Sequence, residues 1–162
     1  MKKIVLFGLP LTFDIIVSLV LFVGRHSLAS QGYGEETVGS IVMFYGIGYV
    51  IASLLMTRIV KPQRAKQQLL GALTGVIVIC VALANVQRLI VIQVLYGLFP
   101  LAASLLFNAF QIYMLGISNQ DTRPLAQTAG HFTFAWSIGF ALGPFASSAL
   151  KSLFPWSQIY YL

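Results

Sequence analysis

The chain has 162 residues, of which 58% are hydrophobic and 9% are charged, and its mean hydropathy is +0.86. A water-soluble domain carries about a quarter charged residues, so this composition excludes that class and indicates a polytopic membrane protein. The formal net charge of +6 does not indicate nucleic-acid binding, because the ten Lys and Arg residues lie scattered between apolar blocks.

Five segments are apolar and about long enough to cross the hydrocarbon core of a bilayer, which takes roughly 20 helical residues. They cover residues 4–24, 37–57, 69–86, 89–115 and 127–150. Backbone hydrogen bonds must be satisfied within a segment that crosses lipid, so helices are expected for all five. We therefore predict an all-α membrane helix bundle that forms a single transmembrane domain over residues 1–162.

Basic residues in the connections predict the orientation of the bundle. With a cytoplasmic N-terminus, the far side holds three basic residues, Arg25, Arg88 and Lys151. The cytoplasmic side then holds seven: Lys2, Lys3, Arg58, Lys61, Arg64, Lys66 and Arg123. This excess follows the positive-inside tendency and predicts a multi-pass protein of the cell (inner) membrane with its N-terminus in the cytoplasm.

A cleaved signal peptide is the alternative interpretation of the first thirty residues. Lys2 and Lys3 precede an apolar run, and Ser27 and Ala29 are small enough for a cleavage site. The run is too long for a signal peptide, however, and Asp14 interrupts it. These features favour a retained membrane helix.

Asp14 is the acidic residue in the middle of the first predicted helix. An ionised carboxylate inside a membrane costs several kcal/mol unless it is protonated, paired or facing a water-filled cavity. Asp14 is therefore predicted to carry a proton or to bind a cationic or hydroxyl-bearing substrate. The alternative is a buried acid that a neighbouring helix satisfies, with no role in transport.

The fourth predicted helix carries a polar stripe along its length. At about 100° per residue its members fall within one sector of the helix surface. They are Gln93, Gly97, Pro100, Ser104, Asn108 and Gln111. Interhelical hydrogen bonds in membranes contribute only about 0.6 kcal/mol each, so a cavity wall explains the stripe better than helix association alone. Tyr45, Tyr49, Ser53 and Thr57 form a weaker stripe on the second helix, where packing is an equal alternative.

Enzyme signatures are missing from the sequence. It contains no HExxH, no GxSxG and no phosphate-binding glycine loop, and its four acids and two histidines are well separated. We therefore predict neither a catalytic role nor a cofactor.

The fifth predicted helix has a small residue at every fourth position from Ala135 to Ser147, which predicts a groove for close packing of another helix. The helix also carries glycines, a Gly-Pro pair and a pair of serines at fixed spacing. These residues are Gly130, Gly139, Gly143, Pro144, Ser147 and Ser148. Their spacing resembles the helix-5 signature of the major facilitator superfamily, G-x8-G-x3-GP-x2-GG, which is typical of drug/proton antiporters. Ser147 and Ser148 replace the final glycine pair.

Other parts of the chain match that family less closely. In the loop after the second helix, Arg58 matches the family's basic residue and Lys61 keeps a positive charge, but Thr57 replaces the acid. In the fourth helix Gly97 is kept and Gln93 stands where the family often has arginine. Asp14 is similar in placement to an acid that some members use for protons or substrate.

The resemblance implies the N-terminal half of a secondary transporter, lacking its sixth helix. Such transporters have two six-helix halves with the substrate held between them. The implied partners are a small-molecule substrate, protons, the lipid bilayer and the missing C-terminal half, and the implied activity is export of small organic molecules. On this interpretation the proton or substrate path is lined by Asp14, Gln93, Ser104, Asn108 and Gln111. The cytoplasmic loop contains Arg58 and Lys61. The alternative is a non-transporting scaffold whose small-residue grooves bind other membrane proteins.

Overall fold

A computed structural model describes residues 2–118 and 125–161 of the chain. Arg123, one of the basic residues used to predict orientation, lies outside these residues. Five long helices dominate the described part, which contains no strand. They are α1 (Lys2–Ser30), α2 (Glu35–Ile59), α3 (Ala65–Asn85), α4 (Leu89–Ser118) and α5 (Leu125–Lys151). A single 3₁₀ turn, Pro62–Arg64, precedes α3, and a short helix α6 (Trp156–Ile159) follows α5.

The all-α prediction is confirmed, and the helices run further than the apolar segments predicted. α1 continues past residue 24 to Ser30, and two of its last polar side chains lie within hydrogen-bond distance of carbonyls of the same helix. The Ser30 hydroxyl donates to the Ser27 carbonyl at 2.8 Å, and His26 Nδ1 lies 3.1 Å from the Phe22 carbonyl oxygen. Gly32 then turns the chain with a φ of 84°, a conformation that glycine adopts without a steric penalty.

Four of the long helices have the length and composition of membrane spans within the described residues. They cover Gly8–Ser30, Glu35–Met56, Pro62–Asn85 and Leu89–Tyr113, with mean hydropathies from 1.7 to 2.2. α5 is as long but is not among the four, because Gly, Ser and Pro make up much of its sequence and are less hydropathic than Leu, Ile or Val. These four helices fit a multi-pass membrane protein.

Two helix pairs form the bundle. α1 packs mainly against α5, and α2 packs mainly against α4, while α3 covers the other side of α4. α1 and α2 join the two pairs through a smaller contact. The apolar core lies between these helices and is built around Tyr96, Phe99 and Leu106 of α4, each fully buried.

Small residues set the separation of both pairs. On α5, a Cβ at Gly139 would lie 2.9 Å from the Cβ of Asp14, and one at Gly143 would overlap Ser18. On α2, a Cβ at Gly48 would overlap the Gly97 carbonyl of α4. The predicted groove on α5 is therefore present, and α1 of the same chain fills it.

The residues after α5 fold back on the bundle. Ile159 is buried, and the Tyr160 hydroxyl lies 2.9 Å from the hydroxyl of Tyr96 in α4. Trp156 lies beneath the Lys151 ammonium, which is 5.3 Å from the ring centroid. These contacts hold α6, a one-turn helix, against α1, α3 and α5.

Candidate functional site

A cavity of about 370 Å³ lies among α1, α2, α4 and α5. We call it the Asp14 cavity. Its lining comes from both helix pairs and consists of Asp14, Val17, Tyr45, Tyr49, Ser53, Ser104, Phe107, Asn108, Gln111, Phe132, Trp136 and Phe140. This volume falls in the range of small-molecule sites, which are about 300–1,000 Å³.

Asp14 is the acidic side chain of the cavity wall. It is only 1% exposed, and its Oδ2 atom has no hydrogen-bond partner among the described residues. Gly139 of α5 helps to place it, because the missing Cβ there lets α5 approach the Leu11 carbonyl and the Asp14 Cβ closely. A buried polar atom without a partner costs free energy, so the carboxyl group is poised to receive a proton or a ligand.

The α4 wall supplies three polar side chains to the same cavity. Ser104 is buried, Asn108 is half-buried and Gln111 is exposed. One amide hydrogen of Asn108 is already used, since Nδ2 donates to the Ser104 carbonyl at 2.8 Å. The structure thus brings together Asp14 and three of the four α4 residues predicted to line a path.

Aromatic rings form most of the remaining wall. α2 contributes Tyr45 and Tyr49, and the other rings come from α4 and α5. Ring contacts connect them: Trp136 stacks on Phe140 at 6.3 Å between centroids, and Phe107 meets Phe132 edge-on at 6.2 Å. The cavity therefore combines one carboxyl group, several neutral polar groups and six aromatic side chains.

Gln93 lies apart from the Asp14 cavity. Its Nε2 donates to the Ser40 hydroxyl of α2 at 2.7 Å, and Gly97, one turn further along, is in backbone contact with Gly48. The polar stripe of α4 therefore has two parts with different surroundings. Its first half joins α4 to α2, whereas its second half, from Ser104 to Gln111, borders the cavity.

The residues of the helix-5 motif also differ in their contacts. Gly139, Gly143 and Ser147 face α1, and the Ser147 hydroxyl donates to the Leu19 carbonyl at 3.4 Å. Gly130 and Ser148 are exposed, and a Cβ at Gly130 would meet nothing within 4 Å. Pro144 is half-buried beside Gly143.

Arg58 and Lys61 are both exposed where α2 ends and the loop to α3 begins. The loop itself is held by a neutral side chain, Gln68 of α3. Its Nε2 donates to the Ile59 carbonyl at 2.8 Å, and its Oε1 accepts from the Lys61 amide at 3.2 Å. Arg58 and Lys61 stay predicted cytoplasmic charges, and neither of them lines the Asp14 cavity.

Sequence reasoning did not single out the α5 rings or Gln68. Phe132, Trp136 and Phe140 recur at every fourth position, so helical spacing could have placed them on one face of α5. The spacing alone would not have shown that this face borders the acid of α1. Gln68 has no comparable signal, because its role depends on the path of the loop.

A second, larger cavity of about 580 Å³ lies at the other end of the bundle, between the ends of α1 and α3 and the tail. Its lining includes Ser27, Gln31, Asn85, Trp156 and Tyr160 but no acidic or basic side chain. The Asp14 cavity is the stronger candidate despite its smaller volume, because it alone of the two has a buried carboxyl group in its wall.

Comparison of the chain with protein-family models, with curated proteins and with solved structures finds no match to any of them. Among the described residues no three His, Cys, Asp or Glu side chains cluster as metal ligands would. The assignment of function therefore depends on the geometry of the Asp14 cavity and on the helix-5 resemblance.

Proposed function

We propose that this helix bundle is part of a secondary active transporter that moves small organic molecules across the membrane, and that the Asp14 cavity belongs to the substrate path. The observation that carries the proposal is the buried Asp14 carboxyl group. Its Oδ2 atom has no hydrogen-bond partner among the described residues, and it borders a cavity to which α1, α2 and α4, three helices long and apolar enough to span a membrane, contribute. Ionisable groups inside a membrane are rare and mark substrate or proton pathways.

The arrangement of helices also supports movement around this cavity. One wall comes from the α1–α5 pair and the other from the α2–α4 pair. Each pair is held by close glycine contacts, which favour motion of the pair as a unit. Relative displacement of the two pairs would widen or narrow the cavity, as alternating access requires.

The finer assignment follows the resemblance of α5 to the major facilitator signature. It implies an antiporter that exports its substrate against a proton flux, with its N-terminus in the cytoplasm. It also implies a second half of the transporter that faces the Asp14 cavity across the membrane midplane. On this proposal Asp14 exchanges a proton for substrate during each cycle.

The scaffold hypothesis has less support from the packing. It requires an unoccupied small-residue groove, but Gly139 and Gly143 already contact α1, and Gly48 already contacts α4. Association within one chain explains these grooves without a further membrane partner.

The proposal is tested with everted membrane vesicles that contain the complete transporter, with both of its halves, and that are acidified inside by respiration. A panel of small organic molecules is added, and a fluorescent dye reports the proton gradient. A substrate of a proton-coupled exporter should dissipate the gradient with the wild-type protein. The same compound should have no effect with Asp14→Asn, which keeps the shape of the side chain but cannot exchange a proton.

Glu36→Gln is the matched control, because Glu36 is an exposed acid at the start of α2 and lies outside the cavity. Its response should equal that of the wild type. A gradient that persists with every compound would contradict the transport proposal. Equal responses of wild type and Asp14→Asn would remove Asp14 from the mechanism.

A further inference from the structure

The larger cavity, between the ends of α1 and α3 and the tail, differs in chemistry from the Asp14 cavity. Its volume of about 580 Å³ falls in the range of small-molecule sites. None of its lining residues in the described part of the chain is acidic or basic, so neither an anion nor a cation would meet an opposite charge in its wall. The two cavities share no lining residue. The larger cavity therefore suits an uncharged ligand and lies outside the proposed substrate path.

Three polar groups in its lining make no hydrogen bond with any described residue. They are the Tyr33 hydroxyl, the Gln87 side-chain amide and the indole N–H of Trp156. Gln87 lies in the loop before α4 and is exposed. A hydroxyl and an amide both donate and accept hydrogen bonds, whereas an indole only donates. The lining therefore offers donors and acceptors to a ligand that carries hydroxyl groups.

Two further amides of the lining are only partly used by bonds to nearby residues. Asn85 Nδ2 donates to the Val81 carbonyl at 2.7 Å, and Gln31 Nε2 donates to the Ser27 hydroxyl at 3.2 Å. Each amide keeps its oxygen and a second N–H, because an amide has two donors and one acceptor oxygen. The cavity thus combines several neutral hydrogen-bonding groups without a fixed charge.

Carbon surfaces complete the wall. Leu28 and Leu83 are buried and line the cavity from α1 and α3. Trp156 and Tyr160 of the tail, both half-buried, add two aromatic rings. The Lys151 ammonium, which lies over the Trp156 ring, is not part of the lining. A ligand that fits must therefore contact carbon on one side and present hydroxyl groups on another.

We propose that the larger cavity binds an uncharged hexose, either as a free sugar or as the head group of a glycolipid. The ring hydroxyls of a hexose donate and accept, which matches the amides and hydroxyls of the lining. The C–H groups on a face of its ring contact the leucines and the aromatic residues. Tryptophan and tyrosine are enriched at the level of lipid head groups, which is where Trp156 and Tyr160 would place the cavity. The inference does not depend on the proposed function, because the occupant is not the transported molecule.

The test uses the purified chain in phosphatidylcholine nanodiscs, free of glycoside detergents, and saturation-transfer difference NMR with methyl β-D-glucoside. All ring substituents of this glucoside are equatorial, so both faces of its ring carry only C–H groups. Saturation transfer to the ring protons should approach a plateau as the glucoside concentration rises. Sorbitol, an open-chain polyol without a ring face, should compete much more weakly.

The two tryptophans of the chain provide a matched pair of variants. Trp156→Leu should weaken binding of the glucoside roughly fivefold, because it removes a ring and an N–H donor from the lining. Trp136→Leu should bind the glucoside as the wild type does, because Trp136 lines the Asp14 cavity instead. The reverse pattern would place the sugar in the Asp14 cavity and overturn the proposal.

Gln87→Ala tests the site without touching the packing of α6. It should weaken binding roughly fivefold, as expected for the loss of one hydrogen-bonding side chain. Gln158→Ala is its control, because Gln158 is an exposed amide of α6 that does not line the cavity. Each variant is checked for helical content by circular dichroism. Absence of saturable binding to the wild type, unchanged binding by Gln87→Ala, or equal competition by sorbitol would overturn the proposal.

A second arm distinguishes the two sources of the sugar. Glucosyl diacylglycerol replaces part of the phosphatidylcholine in the nanodisc, and binding of the free glucoside is measured again. Displacement of the glucoside would assign the site to a glycolipid head group, whereas full retention would assign it to soluble sugars. Phosphatidylglycerol in the same proportion should displace nothing. Displacement by this anionic lipid would overturn the assignment to an uncharged ligand.

Discussion

Gly130 and Gly143 belong to one sequence motif in α5 but have different surroundings. A Cβ at Gly143 would overlap Ser18 and lie 2.9 Å from the Leu19 nitrogen, whereas a Cβ at Gly130 would meet nothing within 4 Å. Packing against α1 therefore requires Gly143. No contact in the described structure requires Gly130.

Gly143→Ala is expected to destabilise the protein, because the added methyl group forces α1 and α5 apart. Overpacking of this kind costs about 1–3 kcal/mol. Gly130→Ala is the matched control and should leave stability unchanged or raise it by up to about 1 kcal/mol, since alanine has the higher helix propensity. Thermal denaturation in detergent measures both variants. Equal stability of the two would show that the α1–α5 contact is looser than described.

At the residue scale the candidate site was partly predictable from sequence. Asp14 was identifiable because an acid inside an apolar helix is costly, and Ser104, Asn108 and Gln111 because they share a helical face. Gln93 shares that face yet contacts Ser40 of α2. A polar stripe shows which face of its helix the polar side chains share. Whether a given part of that face borders a cavity or a packed contact depends on the neighbouring helix.

At the scale of elements, α6 shows how a four-residue helix can be held on the bundle. The Tyr96 hydroxyl donates to the Val20 carbonyl of α1 at 2.7 Å and lies 2.9 Å from the Tyr160 hydroxyl. Gly24 makes room for the Tyr96 ring, because a Cβ there would overlap it. One buried side chain of α4 thus connects α1 to the residues that follow α6.

Tyr96→Phe removes two hydrogen bonds and is expected to lower stability by at least about 1 kcal/mol, the usual contribution of one hydrogen bond. In a chain of this size that loss corresponds to a melting temperature about 2–4 °C lower. Tyr161→Phe is the control, because Tyr161 is 55% exposed and its neighbour Tyr160 makes the buried contact. An unchanged melting temperature for Tyr96→Phe would show that this hydroxyl contributes nothing to attachment of the tail.

The existence of the long helices was predictable, but their pairing was not. Hydropathy identifies segments that suit lipid, and small residues identify faces that allow close approach. Neither signal says that the groove of α5 receives α1 rather than α2 or α3. The end of α1 also lies beyond its apolar segment, at Ser30, because polar residues can continue a helix that hydropathy alone would end.

At the scale of the whole molecule, the two ends of the bundle are distinct. The loop after α1, the loop before α4 and the tail border the larger cavity at one end. The connection between α2 and α3 lies at the opposite end, since the long helices alternate in direction. The predicted orientation places this connection in the cytoplasm and the larger cavity outside.

Cysteine labelling tests this orientation in a Cys80→Ala background. Gln63→Cys places a thiol in the exposed turn between α2 and α3, and Gln87→Cys places one in the exposed loop before α4. A membrane-impermeant maleimide added to intact cells should label residue 87 and not residue 63, while a permeant maleimide should label both. The reverse pattern with the impermeant reagent would place the N-terminus outside.

The pairing of α1 with α5 has a consequence for how the protein is made. Ser147 and Leu19, which hydrogen-bond across this pair, are 128 residues apart in the chain. During synthesis α1 therefore enters the membrane long before its partner exists. An acid at the centre of a lone helix raises the free energy of insertion by about 2.5–3.5 kcal/mol. Asp14 thus makes α1 harder to insert, and its burial is completed only when α5, whose Ser147 follows Leu19 by 128 residues, enters the membrane.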